Sequence, residues 1–383
     1  MEKAKRILFI VPYPHDKAPS QRLKFEQYYA KFREAGYEVE WSSFYDDKAW
    51  NLIYKPGNLP GKLAAMGRGY FRRLRDLFRL GKYDIIYAHL WVTPIGPPVF
   101  EHLLAAISGK KLVYDIDDLI FLKNASHIAW WKQLIKGRKK PIVLMKKARH
   151  VVTCTPFLDE FVRKYNPNTT DISSTIDTDS YQPVNPYENN RKLTLGWSGS
   201  HSTAGYLHLL TDVLQAIYKE QPFRLLVMGD KDFKMEGVEV EAHAWSAEGE
   251  IPTLQQIDIG LYPLPDEQWV LGKSGLKALQ YMSLGIPTVA TAIGANYRVI
   301  EDGISGFLVK TPEEWKEKLR LLMQDADLRK RIGKAAQERV EQHYSIKSTA
   351  PVYIDILTSV AGISSGSSSS TSSTRDTAGS SGK

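Results

Sequence analysis

A chain of 383 residues, 43% hydrophobic and 25% charged, exceeds one ordinary domain and can bury two cores, with two units of about 150–200 residues as the natural division. Its single cysteine, Cys154, excludes an internal disulfide and a cysteine-rich zinc site, and fits a reducing compartment. The net charge of +8 is uneven: residues 1–150 hold 28 Lys+Arg against 14 Asp+Glu, and the rest hold 23 against 29, so the front half is expected to meet something acidic.

The opening MEKAKRILFIVPYP sets basic residues before apolar ones, as a secretory signal does. Prolines end the apolar run at Pro12, however, so a first strand over 7–11 is predicted instead. No apolar run reaches the roughly eighteen residues of a membrane span. Further strands are predicted at 38–41, 84–87, 111–114 and 150–153, and helices at 20–35, 67–80, 98–107, 128–147 and 156–164. Several of these strands are apolar without alternation, as parallel strands buried on both faces are. Residues 166–190, rich in Asn, Pro, Ser, Thr and Asp, read as an interdomain linker. Strands then recur at 193–197, 223–228, 257–262 and 287–290, and helices at 203–220, 273–284, 295–300, 313–324 and 326–343. The fold class expected is α/β, with two Rossmann-like domains facing each other across a cleft. The division is 1–185 for the first domain and 186–345 for the second. A helix over 346–361 is expected to return to the first domain, and a Ser/Gly-rich tail over 362–383 stands outside the fold.

The tripeptide Gly272-Lys273-Ser274 suggests a triphosphate-binding loop. Such a loop needs a glycine five residues before the second one, and that position holds Glu267. A carboxylate there would repel phosphate, so the triphosphatase reading is rejected. Three strand-to-helix junctions remain: LGWSGSHSTAGYL, VLGKSGLKALQYM and TVATAIGANYRVI. Small residues let a phosphate approach the backbone, and a helix start offers amides with partial positive charge. Three such turns with a lysine on the middle one predict an anionic ligand. Helical spacing would put Lys273, Lys277, Gln280 and Tyr281 on one face.

The stretch GLKALQYMSLGIPTVATAIGANYRVIEDGISGFLV resembles the donor-binding signature of retaining GT-B glycosyltransferases of family four, the glycosyl transferases group 1. LGWSGSHSTAGYL, AHAWSAEGEIPTLQQIDIGLYPL, YDIIYAHL and LVYDIDDLIF extend the likeness over most of residues 6–345. The resemblance implies a nucleotide-diphosphate sugar as co-substrate in the second domain and a saccharide or lipid-linked acceptor in the first. It also implies transfer with retained anomeric configuration, and no obligatory metal or other cofactor. Carried onto this sequence, it places Lys273 at the diphosphate with Lys277 one turn on. Gln280 stands where a ribose-binding glutamate is usual, and Gly294, Ala295 and Asn296 line base and diphosphate. Trp245 and Glu248 fall beside the nucleobase, while His89, Asp117 and Asp118 fall on the acceptor side. Arg22 approaches the donor phosphate.

There are departures. Gly272 replaces a usual glutamate, and Ser198, Gly199, Ser200 and His201 stand where an Arg and a Lys often follow the first donor-domain strand. The loop PYPHDKAPSQR lacks paired glycines. The implied chemistry is stabilisation of a departing nucleoside diphosphate by Lys273 and helix amides, with Asp117, Asp118 or His89 at the acceptor hydroxyl. Rival readings are a metal-binding Asp-x-Asp at Asp115 and Asp117, a sugar-nucleotide epimerase, and a non-catalytic protein of the membrane surface. That last reading rests on GRGYFRRLRDLFRLGKYD and KQLIKGRKKPIVLMKKARH, basic helices with apolar residues on one side. An anionic membrane surface is therefore an expected partner, with a cytoplasmic location at the inner face of the membrane. No nucleic-acid module is recognisable.

Overall fold

The computed structural model describes residues 4–53, 55–117, 119, 139–184 and 192–362. Asp118, the first part of the helix expected over 128–147, the end of the expected linker and the tail from 363 lie outside the described residues.

The described residues form two six-stranded sheets, and every pairing in them is parallel. The first comprises β1 (Lys5–Val11), β2 (Tyr37–Ser43), β3 (Ile85–His89), β4 (Leu112–Asp115), β5 (His150–Thr153) and β6 (Thr169–Asp171), in the order β2-β1-β3-β4-β5-β6. The second comprises β7 (Thr194–Ser198), β8 (Arg224–Met228), β9 (Val240–His243), β10 (Ile259–Tyr262), β11 (Thr288–Thr291) and β12 (Phe307–Val309), in the order β12-β11-β10-β7-β8-β9. Parallel strands need crossovers, and helices supply them on both faces. Ile7 to Val11 are accordingly buried without alternation. Each sheet has a hydrophobic cluster on either side.

In the second sheet the chain runs outward through β7, β8 and β9, then restarts at β10 beside β7. That reversal opens a crevice at the carboxyl ends of β7 and β10, where doubly wound sheets take ligands. The last described helix, Ile346–Val360, buries Tyr353, Ile356 and Leu357 with Ile7, Phe9 and Tyr87 of the first sheet.

Several expectations need correction. The helix expected over 20–35 is broken into Pro19–Arg22, a 3-10 turn Glu26–Tyr28 and Tyr29–Glu34. Inside the break, Lys24 turns inward to pair with Asp115. The helix expected over 203–220 is likewise three pieces, with a 3-10 stretch Gly205–Leu210 in the middle. The helix expected from 273 begins at Leu276, because Gly275 takes a left-handed φ of +80° just before it. Lys273 is extended backbone, not helix. Within the stretch read as linker lies β6, and β9 and β12 were not expected.

Candidate active site

A cleft of about 750 Å³ sits between the sheets, over the crevice of the second. From the first domain, Lys17, Pro19, Arg22, Leu23 and Trp50 line it. From the second come the turns after β7 and β8, Trp245, Glu250, Trp269 and the start of helix Leu276–Ser283.

The turn after β7 is packed tightly. Ser198 N donates to Tyr281 Oη at 2.6 Å, fixing the strand end against helix Leu276–Ser283. Glycine is required at 199, since a Cβ would stand 2.3 Å from Trp197 and 2.6 Å from Lys277 Nζ. Gly229 has φ +114°, and a Cβ there would stand 2.0 Å from Gly199 O. The two loops thus press backbone on backbone. Their amides are used internally: Gly199 N donates to Met228 O at 2.9 Å, Gly229 N to His243 O at 2.8 Å and Ser200 N to Thr203 Oγ1 at 3.1 Å. The expected cradle of bare amides is therefore absent at these three positions.

Positive charge at the site comes from side chains. Lys277 Nζ lies 4.2 Å from the Trp197 ring centroid and 3.5 Å from Thr203 Oγ1. Burial, then the neighbouring Lys273, lowers its pKa from 10.5 to about 7. Lys273 Nζ lies 5.4 Å from the Trp269 ring centroid and also faces the cleft.

Deeper in the cleft, Glu250 gathers donors from four directions. Its Oε1 accepts from Trp245 Nε1 at 3.0 Å and from Gln280 Nε2 at 3.1 Å. Its Oε2 accepts from Tyr181 Oη at 3.0 Å and meets Arg22 Nη2 at 3.5 Å. Gln280 also donates to Tyr181 Oη at 3.0 Å. Arg22 stacks over Trp245, 5.4 Å from the ring centroid, and so spans from one domain to the other.

Of the residues expected at the site, Arg22, Ser198, Gly199, Ser200, His201, Trp245, Lys273, Lys277 and Gln280 line this cleft. His201 is exposed, its Nδ1 3.2 Å from Asp230 Oδ2. Glu248 is exposed and does not line the cleft; the carboxylate that does is Glu250, two residues on. Gly272 is buried, and a Cβ there would stand 2.7 Å from Leu119 Cγ. Leu119 of the first domain thus fills the space a side chain at 272 would need. Gly294, Ala295 and Asn296 are not among the lining residues; Asn296 Nδ2 donates to Thr291 O at 2.9 Å.

On the acceptor side, His89 is fully buried. Its Nδ1 is 3.5 Å from Asp115 Oδ2 and its Nε2 3.9 Å from Asp117 Oδ1. Neither His89 nor Asp117 is among the residues lining the cleft. Burial disfavours charge on both Lys24 and Asp115, but their pairing outweighs it, raising the lysine's pKa and lowering the carboxyl's. Tyr87 Oη adds a bond to Asp115 at 2.7 Å. Asp115 is thus committed to a core ion pair, which argues against the metal reading of Asp115 and Asp117.

Residues 192–325 match the family model described as glycosyl transferases group 1. Over this segment the C-terminal domain is similar to the group 1 glycosyl transferases. Every cleft residue after the linker falls within this group 1 segment. Among curated relatives, a trehalose synthase of Pyrococcus horikoshii is 35% identical over 88 residues, 23% of this chain and 21% of that protein. A D-inositol 3-phosphate glycosyltransferase of Corynebacterium urealyticum is 31% identical over 108 residues, 28% of this chain and 24% of that one. These matches span about a fifth to a quarter of each relative's length. Solved structures are similar over nearly the whole chain. A sucrose-phosphate synthase from Thermosynechococcus elongatus superposes with TM-score 0.68 at 14% identity, covering 93% of this chain and 99% of that one. Anabaena HepE in complex with UDP-glucose gives 0.64 at 17%, covering 92% and 99%. At these identities the likeness shows the fold, which is GT-B.

Proposed function

We propose that the protein is a glycosyltransferase. It moves a sugar from a nucleoside-diphosphate sugar to a saccharide or lipid-linked acceptor, with retention of configuration. The observation that carries the reading is that Lys273 and Lys277 together line a 750 Å³ cleft at the switch point of the second sheet, within the segment similar to the group 1 family. As the glycosidic bond breaks, negative charge grows on the leaving diphosphate. Cations fixed at that position stabilise it most where it is most charged, in the transition state. With the amides of Gly199, Ser200 and Gly229 bonded within the protein, this work falls to the two lysines. Arg22 joins them by exchanging Glu250 for phosphate.

Gln280, Glu250 and Tyr181 form a polar floor able to bond the hydroxyls of a nucleoside, and Trp245 offers its ring face beside them. The acceptor enters between this floor and the first domain, past Lys17, Leu23 and Trp50. A departing phosphate oxygen takes the proton of the acceptor hydroxyl as the new bond forms on the same face. His89 and Asp117 act as positioning groups behind that wall.

The test is transfer by Lys273→Ala, with products resolved by NMR for anomeric configuration. A loss on the order of 10²–10³ in rate with an unchanged melting profile is expected. Near-normal turnover retires the assignment, and an inverted product retires retention.

A further inference from the structure

The helix Leu59–Arg79 is turned inside out. Its sheet-facing positions are Ala65, Gly69, Arg73, Asp76 and Leu77. They include a buried ion pair, with Arg73 Nη1 3.1 Å from Asp76 Oδ2. The same guanidinium donates to Val92 O, Ser42 O and Val11 O at 2.8, 3.0 and 2.6 Å. Outward, Phe71, Leu74 and Phe78 are 71, 46 and 83% exposed. They recur at i, i+3 and i+7, so they form one stripe. An ordinary surface helix places these residue types the other way round.

The next helix, Val99–Ser108, repeats the pattern with Val99, Leu103 and Ile107 exposed at i, i+4 and i+8. Inner residues of both helices, Leu77 with Leu104 and Ala105, belong to one core cluster with Leu8, Ile86 and Leu112. The two helices therefore cover the same face of the first sheet, and their outer stripes share one surface. An exposed apolar area of this kind marks an interface.

The charge around it selects the partner. Arg68, Arg72 and Arg75 line a shallow hollow of about 390 Å³ with Gly67 and Phe71. Asp46 meets Arg68 and Arg72 at 3.4 and 3.3 Å, and Asp76 meets Arg75 at 3.6 Å. Lys146 and Lys147 are exposed at the end of helix Lys140–Lys147, the next crossover beside Val99–Ser108. A second copy of the chain would bring like charges together across a two-fold axis. An anionic bilayer satisfies both features at once. Among the described residues no helix is long and apolar enough to cross a membrane, so the contact is one of lying on the surface.

We propose that this face docks on an anionic lipid surface, with Phe71 and Phe78 entering the acyl boundary and the arginine hollow holding a lipid phosphate. The inference stands apart from the transfer chemistry. It is tested by co-sedimentation with vesicles of phosphatidylcholine alone and of equimolar phosphatidylcholine and phosphatidylglycerol. The wild type is expected to pellet with the mixed vesicles and to be released by salt. The pair Phe71→Ser with Phe78→Ser is expected to lose at least about tenfold in binding. The pair Arg68→Gln with Arg75→Gln is expected to lose the preference for anionic lipid. Both pairs should keep the wild-type melting temperature and nucleotide response. A wild type that stays in the supernatant at low salt overturns the proposal, as do variants that pellet equally. A dimer by light scattering that Phe71→Ser with Phe78→Ser breaks assigns the face to a second copy and overturns it too. An intact nucleotide response alongside failed docking sinks this inference alone.

Discussion

Replacing Lys277 by methionine should make the ligand-free protein more stable and the donor bind more weakly. Lys277 holds a charge among Trp197, Tyr262 and Lys273, and among the described residues no carboxylate pairs with it. Its pKa falls from 10.5 to about 7. At about 1.4 kcal/mol per pH unit, that depression corresponds to about 5 kcal/mol of disfavoured charge below neutrality, an upper bound. Methionine keeps the packing volume but forfeits the ring contact, worth about 0.5–2 kcal/mol. A net gain of about 1–3 kcal/mol is expected, read as a rise in urea midpoint at pH 6.

The pH dependence has a definite sign. Between pH 7 and 10.5 the unfolded chain holds this proton and the folded one does not, so wild-type stability rises with pH across that window. The advantage of Lys277→Met over wild type should therefore shrink as pH rises through this window and become independent of pH above 10.5. A bound diphosphate restores the ammonium, so binding takes up a proton above pH 7. Wild-type affinity for a nucleoside diphosphate should fall as pH rises past 7, and the variant should lose both this slope and at least about tenfold in affinity at neutral pH. A variant less stable than wild type at pH 6, with undiminished nucleotide affinity, refutes the reasoning.

Glu250→Gln removes the charge that Arg22, Trp245, Gln280 and Tyr181 share. Donor binding should weaken by about 1–3 kcal/mol in calorimetry, with only a small change in melting temperature. Gly229→Ala forces a Cβ onto Gly199 O at a φ of +114°; a loss of about 2 kcal/mol or more in urea unfolding is expected, with nucleotide response falling in parallel. Arg73→Leu leaves Asp76 buried beside an apolar group, so a loss of about 3–5 kcal/mol is expected. Replacing Arg73 and Asp76 together by leucine and asparagine should recover part of it.

Much of the fold is legible where local and tertiary demands agree. The apolar run of β1 needs no partner to be read as a buried parallel strand. The helix Ala326–His343 has its own cap in Asp325, whose Oδ1 accepts from Leu328 N at 2.8 Å. The short edge strands are another matter. Thr169–Asp171 and Val240–His243 are polar at their exposed side, and only the neighbouring strand tells them from loop. Glycine and lysine mark a junction that lines the cleft, but two glycines competed for the helix start. Gly275, at positive φ, won over Gly272, which moved Lys273 off the helix. Glu250 and Tyr181 were missed because their pairing joins positions 69 apart in sequence. No periodicity records such a contact. The same holds for helix Leu59–Arg79, whose residues suggest an apolar side but not that Arg73 and Asp76 would occupy the inward one.

The central claim is that Lys273 recognises a nucleoside diphosphate in the cleft between the domains. The most direct measurement is a thermal-shift comparison of nucleoside diphosphates with their monophosphates, on wild type and Lys273→Ala side by side. At least one diphosphate should raise the wild-type melting temperature well above its monophosphate, and the gap should close in Lys273→Ala. No response to any diphosphate, or a gap that survives in the variant, contradicts the account.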